Sequence, residues 1–140
     1  MPRILNDAPC ILVLDDRISN SKIVLQFRMP TTDERVKYAN SLVTRRGSKI
    51  EYNYSATRVK FGMEVLLGFD DGAFNTAENK PLSSRPESPD YEPNWKDFVQ
   101  KYAADIVELL AIHVFELSVV KAPDAGSNGG ETREADENPT

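Results

Sequence analysis

The sequence predicts an α+β fold with an N-terminal β-hairpin, about three helices, the last of them long, and a disordered acidic tail. Three observations lead to this prediction. Two short runs of β-branched and apolar residues, CILVL and KIVLQFR, flank a cluster of turn-forming residues. Later segments place apolar residues at helical spacing. Residues 122–140 hold glycine, serine and acids without an apolar anchor.

Length and composition fit one domain. At 140 residues and 40% hydrophobic, the chain is sized for a single domain over residues 1–121, followed by the tail. The N-terminal residues lack the apolar segment of a signal peptide, and no uncharged apolar run reaches the roughly 20 residues that span a bilayer. Cys10 is the only cysteine, so no intrachain disulfide is possible. We therefore expect a cytoplasmic protein that makes no contact with membranes.

The hairpin has one face made for a core. In its second strand Ile23, Leu25 and Phe27 alternate with polar residues, as expected for a strand that is buried on one side. The acids Asp15 and Asp16 begin the turn between the strands.

The first helix is predicted from a capping box. Thr31 and Glu34 have the spacing at which each side chain satisfies a free amide of the other residue. The helix is expected to run to about Arg46, where Gly47 would take the left-handed cap position. Its predicted inner face consists of Val36, Ala39, Leu42 and Val43.

A second helix is predicted over about residues 55–67, although the same residues also alternate as a strand would. Ser55 is expected to cap the helix and Gly68 to end it. The interior Gly62 opposes a helix. The helical stripe consists of Val59, Met63, Leu66 and Leu67. Beyond it, residues 75–94 hold Pro81, Pro86, Pro89 and Pro93 among polar residues, and we expect an exposed, extended connector.

The long helix is predicted from about residue 94 or 95 to residue 119, with two apolar faces. The first consists of Trp95, Phe98, Val99, Tyr102, Ile106, Leu109, Leu110, His113 and Leu117. Its expected core partners are Leu25, Phe27, Leu42 and Leu67. The second consists of Ile112, Phe115 and Val119. A small domain would cover both faces with difficulty, so we interpret the second as a surface for a protein partner or for self-association. The alternative is an ordinary central helix.

Charge is distributed unevenly along the chain. Residues 28–60 hold eight bases and three acids, whereas residues 61–121 hold eleven acids and five bases. The bases are Arg28, Arg35, Lys37, Arg45, Arg46, Lys49, Arg58 and Lys60. A nucleic-acid-associated accessory protein is therefore an alternative, although the absence of an aromatic or glycine-rich motif favours a solvated face paired with the acidic half.

No catalytic motif appears in the sequence, so we expect a protein that is not an enzyme and needs no cofactor. His113 is the only histidine, which excludes a multi-histidine metal site. A small metal-dependent hydrolase would require four carboxylates to converge in space. These are Asp15, Asp16, Asp70 and Asp71.

The order of these segments resembles that of the small tail assembly chaperones of long-tailed bacteriophages and prophages. The similarity covers about residues 23–116 and includes RMPTTDERVKY, then GFDDGAF followed by KPLS, then NWKDFVQKYAADIVELLAIHVFE. The resemblance implies that the protein binds the long helical tape measure protein. It also implies that the partner is kept soluble until tail tube subunits polymerise around it.

Overall fold

The computed structural model describes Pro2 and residues 8–117. In chain order these residues form β1 (Cys10–Asp16), β2 (Ser21–Phe27), α1 (Thr32–Leu42), β3 (Val43–Arg46), β4 (Lys49–Tyr52), α2 (Tyr54–Val65), β5 (Leu66–Phe69), β6 (Phe74–Asn75), β7 (Pro81–Leu82), α3 (Trp95–Tyr102), α4 (Ala104–Ala111) and a π-helical segment (Ile112–Glu116). The mixture of strands and helices and the N-terminal hairpin are confirmed. Residue 119 and the predicted tail lie outside the described residues.

The main sheet has the strand order β1-β2-β5, with both pairings antiparallel. The hairpin register runs from Cys10 opposite Phe27 to Asp16 opposite Ser21. As predicted, Ile23, Leu25 and Phe27 point into the core and are almost fully buried. Helices α3 and α4 supply the facing side chains of this core, among them Trp95, Val99, Ile106 and Leu110.

Helix α1 begins as predicted but ends earlier. The Glu34 amide donates to the Thr31 hydroxyl at 3.2 Å, and the Thr31 amide donates to the Glu34 carboxylate at 2.9 Å. The helix stops at Leu42, not at Arg46. The next residues form β3, which pairs with β4 through a two-residue turn. Gly47 has φ +62° in that turn, so its left-handed conformation serves a hairpin and not a helix cap.

The predicted inner face of α1 is also wrong. Val36, Ala39 and Val43 are exposed and Leu42 is partly buried, whereas Tyr38 is buried. Tyr38 forms a second, smaller cluster with Phe61 and Ala111. Tyr38 thus connects the helix to both α2 and the C-terminal segment, and the Arg35 guanidinium adds a hydrogen bond to the Val114 carbonyl at 3.2 Å.

Helix α2 confirms the helical interpretation of residues 55–65 and corrects both ends. Asn53 occupies the cap position that we expected for Ser55, and its side chain makes no capping hydrogen bond. Leu66 and Phe69 belong to β5, so Gly68 lies within a strand and does not end the helix. Pairing with β2 explains this, since it buries both side chains in the main core.

The proline-rich stretch is more ordered than a connector. Strands β6 and β7 pair, and Leu82 and Ser83 are buried. The Ser84 hydroxyl accepts from the Phe69 amide at 3.0 Å and donates to the Phe69 carbonyl at 3.2 Å. These bonds hold the segment against β5, although most of its remaining residues are exposed.

The structure shows no single long C-terminal helix among the described residues. Ala103, with φ −131°, ends α3 and precedes α4. The α4 helix continues into the π-helical segment. The predicted first face is only partly buried: Trp95, Val99, Ile106 and Leu110 are buried, whereas Phe98, Tyr102, Leu109 and Leu117 are exposed. Leu67, an expected core partner, is exposed as well. None of the described helices is both long and apolar enough to span a membrane.

Candidate functional site

Of the predicted partner-binding residues, Phe115 packs against aromatic side chains of its own chain. The Phe115 ring stacks on Tyr38, with ring centroids 4.3 Å apart, and meets Phe61 edge-on at 5.8 Å. Ile112 is partly buried, and Val119 lies outside the described residues. Phe115 therefore packs partly within its own chain. Binding of a partner by what remains exposed of Ile112 and Phe115 stays a prediction.

Polar contacts fasten the same segment to the first two helices. Glu116 accepts two hydrogen bonds from the Arg58 guanidinium, at 2.7 and 2.9 Å, and a third from the Tyr38 hydroxyl. The Arg58 hydrogen bonds lower the pKa of the Glu116 carboxyl. Burial, followed by the adjacent carboxylate, raises the pKa of the Tyr38 hydroxyl. The Tyr38 hydroxyl therefore stays protonated at neutral pH and donates to Glu116. This contact serves the fold.

A cleft of about 750 Å³ lies between the β6–β7 region and α3. Its volume falls in the usual range for binding sites, roughly 300 to 1,000 Å³. Its aromatic and proline side chains come from three separate parts of the chain. They are Phe74, Pro81, Pro89, Tyr91, Phe98 and Tyr102.

The cleft has a buried floor and exposed aromatic walls. Leu82 and Val99 are buried beneath it, whereas Phe98 and Tyr102 are 40% and 72% exposed. A tyrosine exposed to that extent beside an apolar cleft leaves a large amphipathic side chain available to a ligand. The cleft therefore has features of a protein-binding or peptide-binding groove.

Charge on the cleft is mainly negative. Its lining includes Glu78, Asp90 and Glu92 against the single base Lys80, a formal balance of −2. A basic partner is therefore favoured over an acidic one.

Backbone pairing holds the wall of the cleft in place. The Ser83 amide donates to the Asp90 carbonyl and the Glu92 amide donates to the Ser83 carbonyl, each at 3.2 Å. The Ser83 hydroxyl donates to the Asp71 carboxylate at 2.7 Å. Asp71 also pairs with Arg85, whose hydrogen bonds lower the pKa of this carboxyl. The segment thus folds back on itself and presents Tyr91 towards α3.

Comparison with known proteins adds no assignment. No protein-family model, curated protein or solved structure matches this chain. The resemblance to tail assembly chaperones therefore stays a prediction that rests on the residues quoted above.

The basic residues are partly neutralised within the fold. Four of them form ion pairs: Arg28 with Glu34, Lys37 with Asp33, Arg46 with Glu51, and Arg58 with Glu116. We predicted that these bases pair with acids of residues 61–121. Only Glu116 comes from that part of the chain, and the other three acids lie near their bases in sequence. An aromatic feature does accompany the bases, contrary to expectation. The exposed rings of Tyr52 and Tyr54 stack with centroids 6.1 Å apart at the end of the β3–β4 ribbon.

The residues considered for metal chemistry serve other contacts. Among the described residues no group of three or more histidine, cysteine, aspartate or glutamate side chains is placed to hold a metal ion. Asp15 pairs with Lys22, and Asp70 accepts from the Gln26 side chain. His113 lies edge-on to Phe27 with ring centroids 5.9 Å apart, as a packed histidine would.

The sequence interpretation missed the cleft because its aromatic residues are far apart in the chain. Phe74 and Tyr91 lie on either side of three of the four prolines that indicated an extended connector. Phe98 and Tyr102 were assigned to the core face of a continuous helix. The available signal was the recurrence of aromatic residues within and next to a proline-rich segment, which is unusual for a solvated linker.

Proposed function

We propose that this protein is a non-enzymatic binding factor of the tail assembly chaperone type. It holds an amphipathic helical segment of a long partner protein in the cleft between the β6–β7 region and α3. The observation that supports the proposal is the exposed pair Phe98 and Tyr102 above the buried floor of that cleft. In a helix-in-groove complex such a pair receives apolar anchors spaced three or four residues apart.

The chemistry of the partner follows from the charge of the cleft. Acids at Glu78, Asp90 and Glu92 attract lysine or arginine side chains that flank the apolar anchors. The predicted partner segment is thus an amphipathic helix with an apolar stripe and basic edges. A tape measure protein, which the family resemblance implies, supplies extended helices of this general type.

A synthetic peptide tests the binding mode directly. We expect a fluorescent amphipathic helix of leucine and lysine to bind at least about tenfold more tightly than a scrambled peptide of the same composition. Tyr102→Ala should weaken binding about tenfold, because truncating an aromatic anchor at an interface commonly costs 1 to 2 kcal/mol or more. Fluorescence anisotropy titrations at several salt concentrations measure both effects.

The chain offers a matched control. Tyr52 is exposed to a similar extent but lies on β4, away from the cleft, so Tyr52→Ala should leave the affinity for the peptide unchanged. Equal affinity for the amphipathic and scrambled peptides, or equal effects of the two tyrosine variants, would remove the cleft from the proposal.

The role in tail assembly needs the natural partner. Co-purification from the native operon should recover a long helical protein with wild-type chain and with Tyr52→Ala, but far less of it with Phe98→Ala/Tyr102→Ala. Recovery that does not depend on the cleft residues would contradict this proposal. Recovery of a partner unrelated to tails would contradict only the tail assembly part.

A second candidate function is association with nucleic acid. The β3–β4 ribbon presents Arg45, Arg46 and Lys49 beside exposed Tyr52, and bases stack readily on such rings. With Glu51 included, the ribbon has a formal charge of only +2. If this candidate is correct, single-stranded DNA should be retained with a steep salt dependence that Arg45→Ala/Lys49→Ala reduces. Retention that is unaffected by this variant would exclude the ribbon.

A further inference from the structure

Strand β1 forms one edge of the main sheet and has a different environment from the other edge. The order β1-β2-β5 gives β1 a neighbour on one side, and no other described strand lies beside it. At the opposite edge the Ser84 hydroxyl covers the backbone groups of Phe69. The hydrogen bonds of the described residues show no equivalent cover on the outer side of β1.

The first five residues of this edge strand also lack the usual features that prevent pairing. Native edge strands commonly carry a lysine, a proline or a bulge. Residues 10–14, CILVL, contain neither charge nor proline, and the irregularity of this sheet lies between Gln26 and Phe27 on the β5 side. Ile11 and Val13 are 65% and 52% exposed on the outer face of the sheet. Outward backbone groups and apolar side chains together suit an added strand.

We propose that β1 pairs with β1 of a second copy of this chain, antiparallel and about a two-fold axis through Leu12. The two sheets then form one sheet of six strands. Leu12 lies opposite its own copy, Cys10 opposite Leu14, and Ile11 opposite Val13. On the core side of the joined sheet, Cys10, Leu12 and Leu14 of one copy lie beside the same residues of the other. On the outer side, Ile11 and Val13 of the two copies form one apolar strip.

The distribution of charge selects this register. Pairing about Leu12 matches five apolar residues with five apolar residues and places Asp15 opposite Pro9 at the end. A shift to Val13 would place Asp15 opposite Ile11 on the outer face and Asp16 opposite Cys10 on the core side, so that two carboxylates would lie against apolar side chains. A shift in the other direction, to Ile11, would bring Pro9, which has no amide hydrogen, inside the ladder.

The single native cysteine provides the test. In Leu14→Cys, the new thiol would lie opposite Cys10 of the second copy, within the Cα separation of 4.4 to 6.8 Å that a disulfide requires. Within one chain the two thiols are four strand residues apart, roughly 13 Å, and cannot join. We expect mild oxidation at micromolar concentration to convert most of this variant to a covalent dimer on non-reducing gels. Leu14→Cys/Cys10→Ser should remain monomeric on those gels.

Two further variants keep the proposal open to refutation. Val13→Cys places its thiol on the outer face opposite Ile11, so it should give little covalent dimer. The wild-type chain should scatter light as a particle of about twice 15.7 kDa. Ile11→Lys puts a charge on an exposed edge position, so this variant should scatter light as a single chain, with unchanged circular dichroism. Equal cross-linking of the two cysteine variants, a monomeric wild-type chain, or a dimer that survives Ile11→Lys would each overturn the proposal. None of these substitutions is in the cleft, so the result does not depend on the proposed function.

Discussion

At the residue scale, Glu34 takes part in two structures at once. Its carboxylate accepts the Thr31 amide at the start of α1 and also two hydrogen bonds from the Arg28 guanidinium, each at 2.7 Å. Arg28 follows β2, so the ion pair joins the sheet to the helix. Hydrogen bonds from Arg28 lower the pKa of Glu34 from its ordinary 4.5 to about 2.

We expect Glu34→Gln to cost about 1 to 2 kcal/mol of unfolding free energy at pH 7, the usual size of a partly buried charge-assisted contact. Glutamine can still complete the capping box, so the loss belongs to the ion pair. Because the folded-state pKa is depressed, the stabilisation is present above about pH 4.5 and disappears as the pH falls towards about 2. Urea denaturation at pH 7 and pH 2 should therefore show a difference that vanishes in acid.

The matched control for this variant is Asp33→Asn. Asp33 pairs with Lys37 on the same helix, but both side chains are largely exposed, so the change at pH 7 should be within about half a kcal/mol. A loss for Glu34→Gln that is the same at both pH values would show that packing, and not the charge, is responsible.

At the scale of elements, α2 and α4 approach each other so closely that they require Gly62. A β-carbon built at this glycine would lie 2.7 Å from both the Val107 side chain and the Val107 carbonyl oxygen. The sequence interpretation counted Gly62 against a helix. In the structure the missing side chain is what allows the two helices to touch.

We expect Gly62→Ala to destabilise the protein by about 1 to 3 kcal/mol, as over-packing usually does. The intrinsic helix propensity of alanine acts in the opposite direction by about 1 kcal/mol, but the contact with a backbone carbonyl outweighs it. Thermal unfolding followed at the helical band measures the change. If Gly62→Ala is more stable than wild type, the two helices are further apart than the structure shows.

The same scale shows which elements can be predicted from sequence. The hairpin, the capping box and the helix over residues 55–65 are encoded locally, by alternation, by Thr31 with Glu34 and by apolar spacing. The ends were missed at β3 and β5, where β-branched and apolar residues suit either helix or strand. Pairing with β4 in one case and with β2 in the other decides between them. The pairing of β5 with β2 joins distant parts of the chain and is not visible in a local window, whereas β3 and β4 are joined by only two residues.

At the scale of the whole molecule, the position of a helical residue relative to the sheet, and not helical spacing alone, determines whether its side chain faces the core. A straight helix would have placed Trp95, Tyr102 and Leu109 on one face. The structure buries Trp95 and leaves the other two exposed. Trp95 and Tyr102 belong to the same helix, so spacing alone does not decide which of them is buried: Tyr102, at the end of α3, lines the cleft and not the core. Ile106 and Leu110 are buried although they follow the break.

The C-terminal segment is joined to the first two helices by Phe115, which packs against Tyr38 of α1 and Phe61 of α2. We therefore expect Phe115→Ala to cost about 2 to 3 kcal/mol, somewhat below the 3 to 5 of a fully buried phenylalanine because the ring is only partly buried. Leu109→Ala, at a side chain that is 47% exposed, should cost less than about 1 kcal/mol. Denaturant titrations of the two variants measure both values, with the slope checked for two-state unfolding. Continuous apolar stripes would predict the opposite order, with Leu109 the costlier site, and that result would show that the segment does not close on α1 and α2.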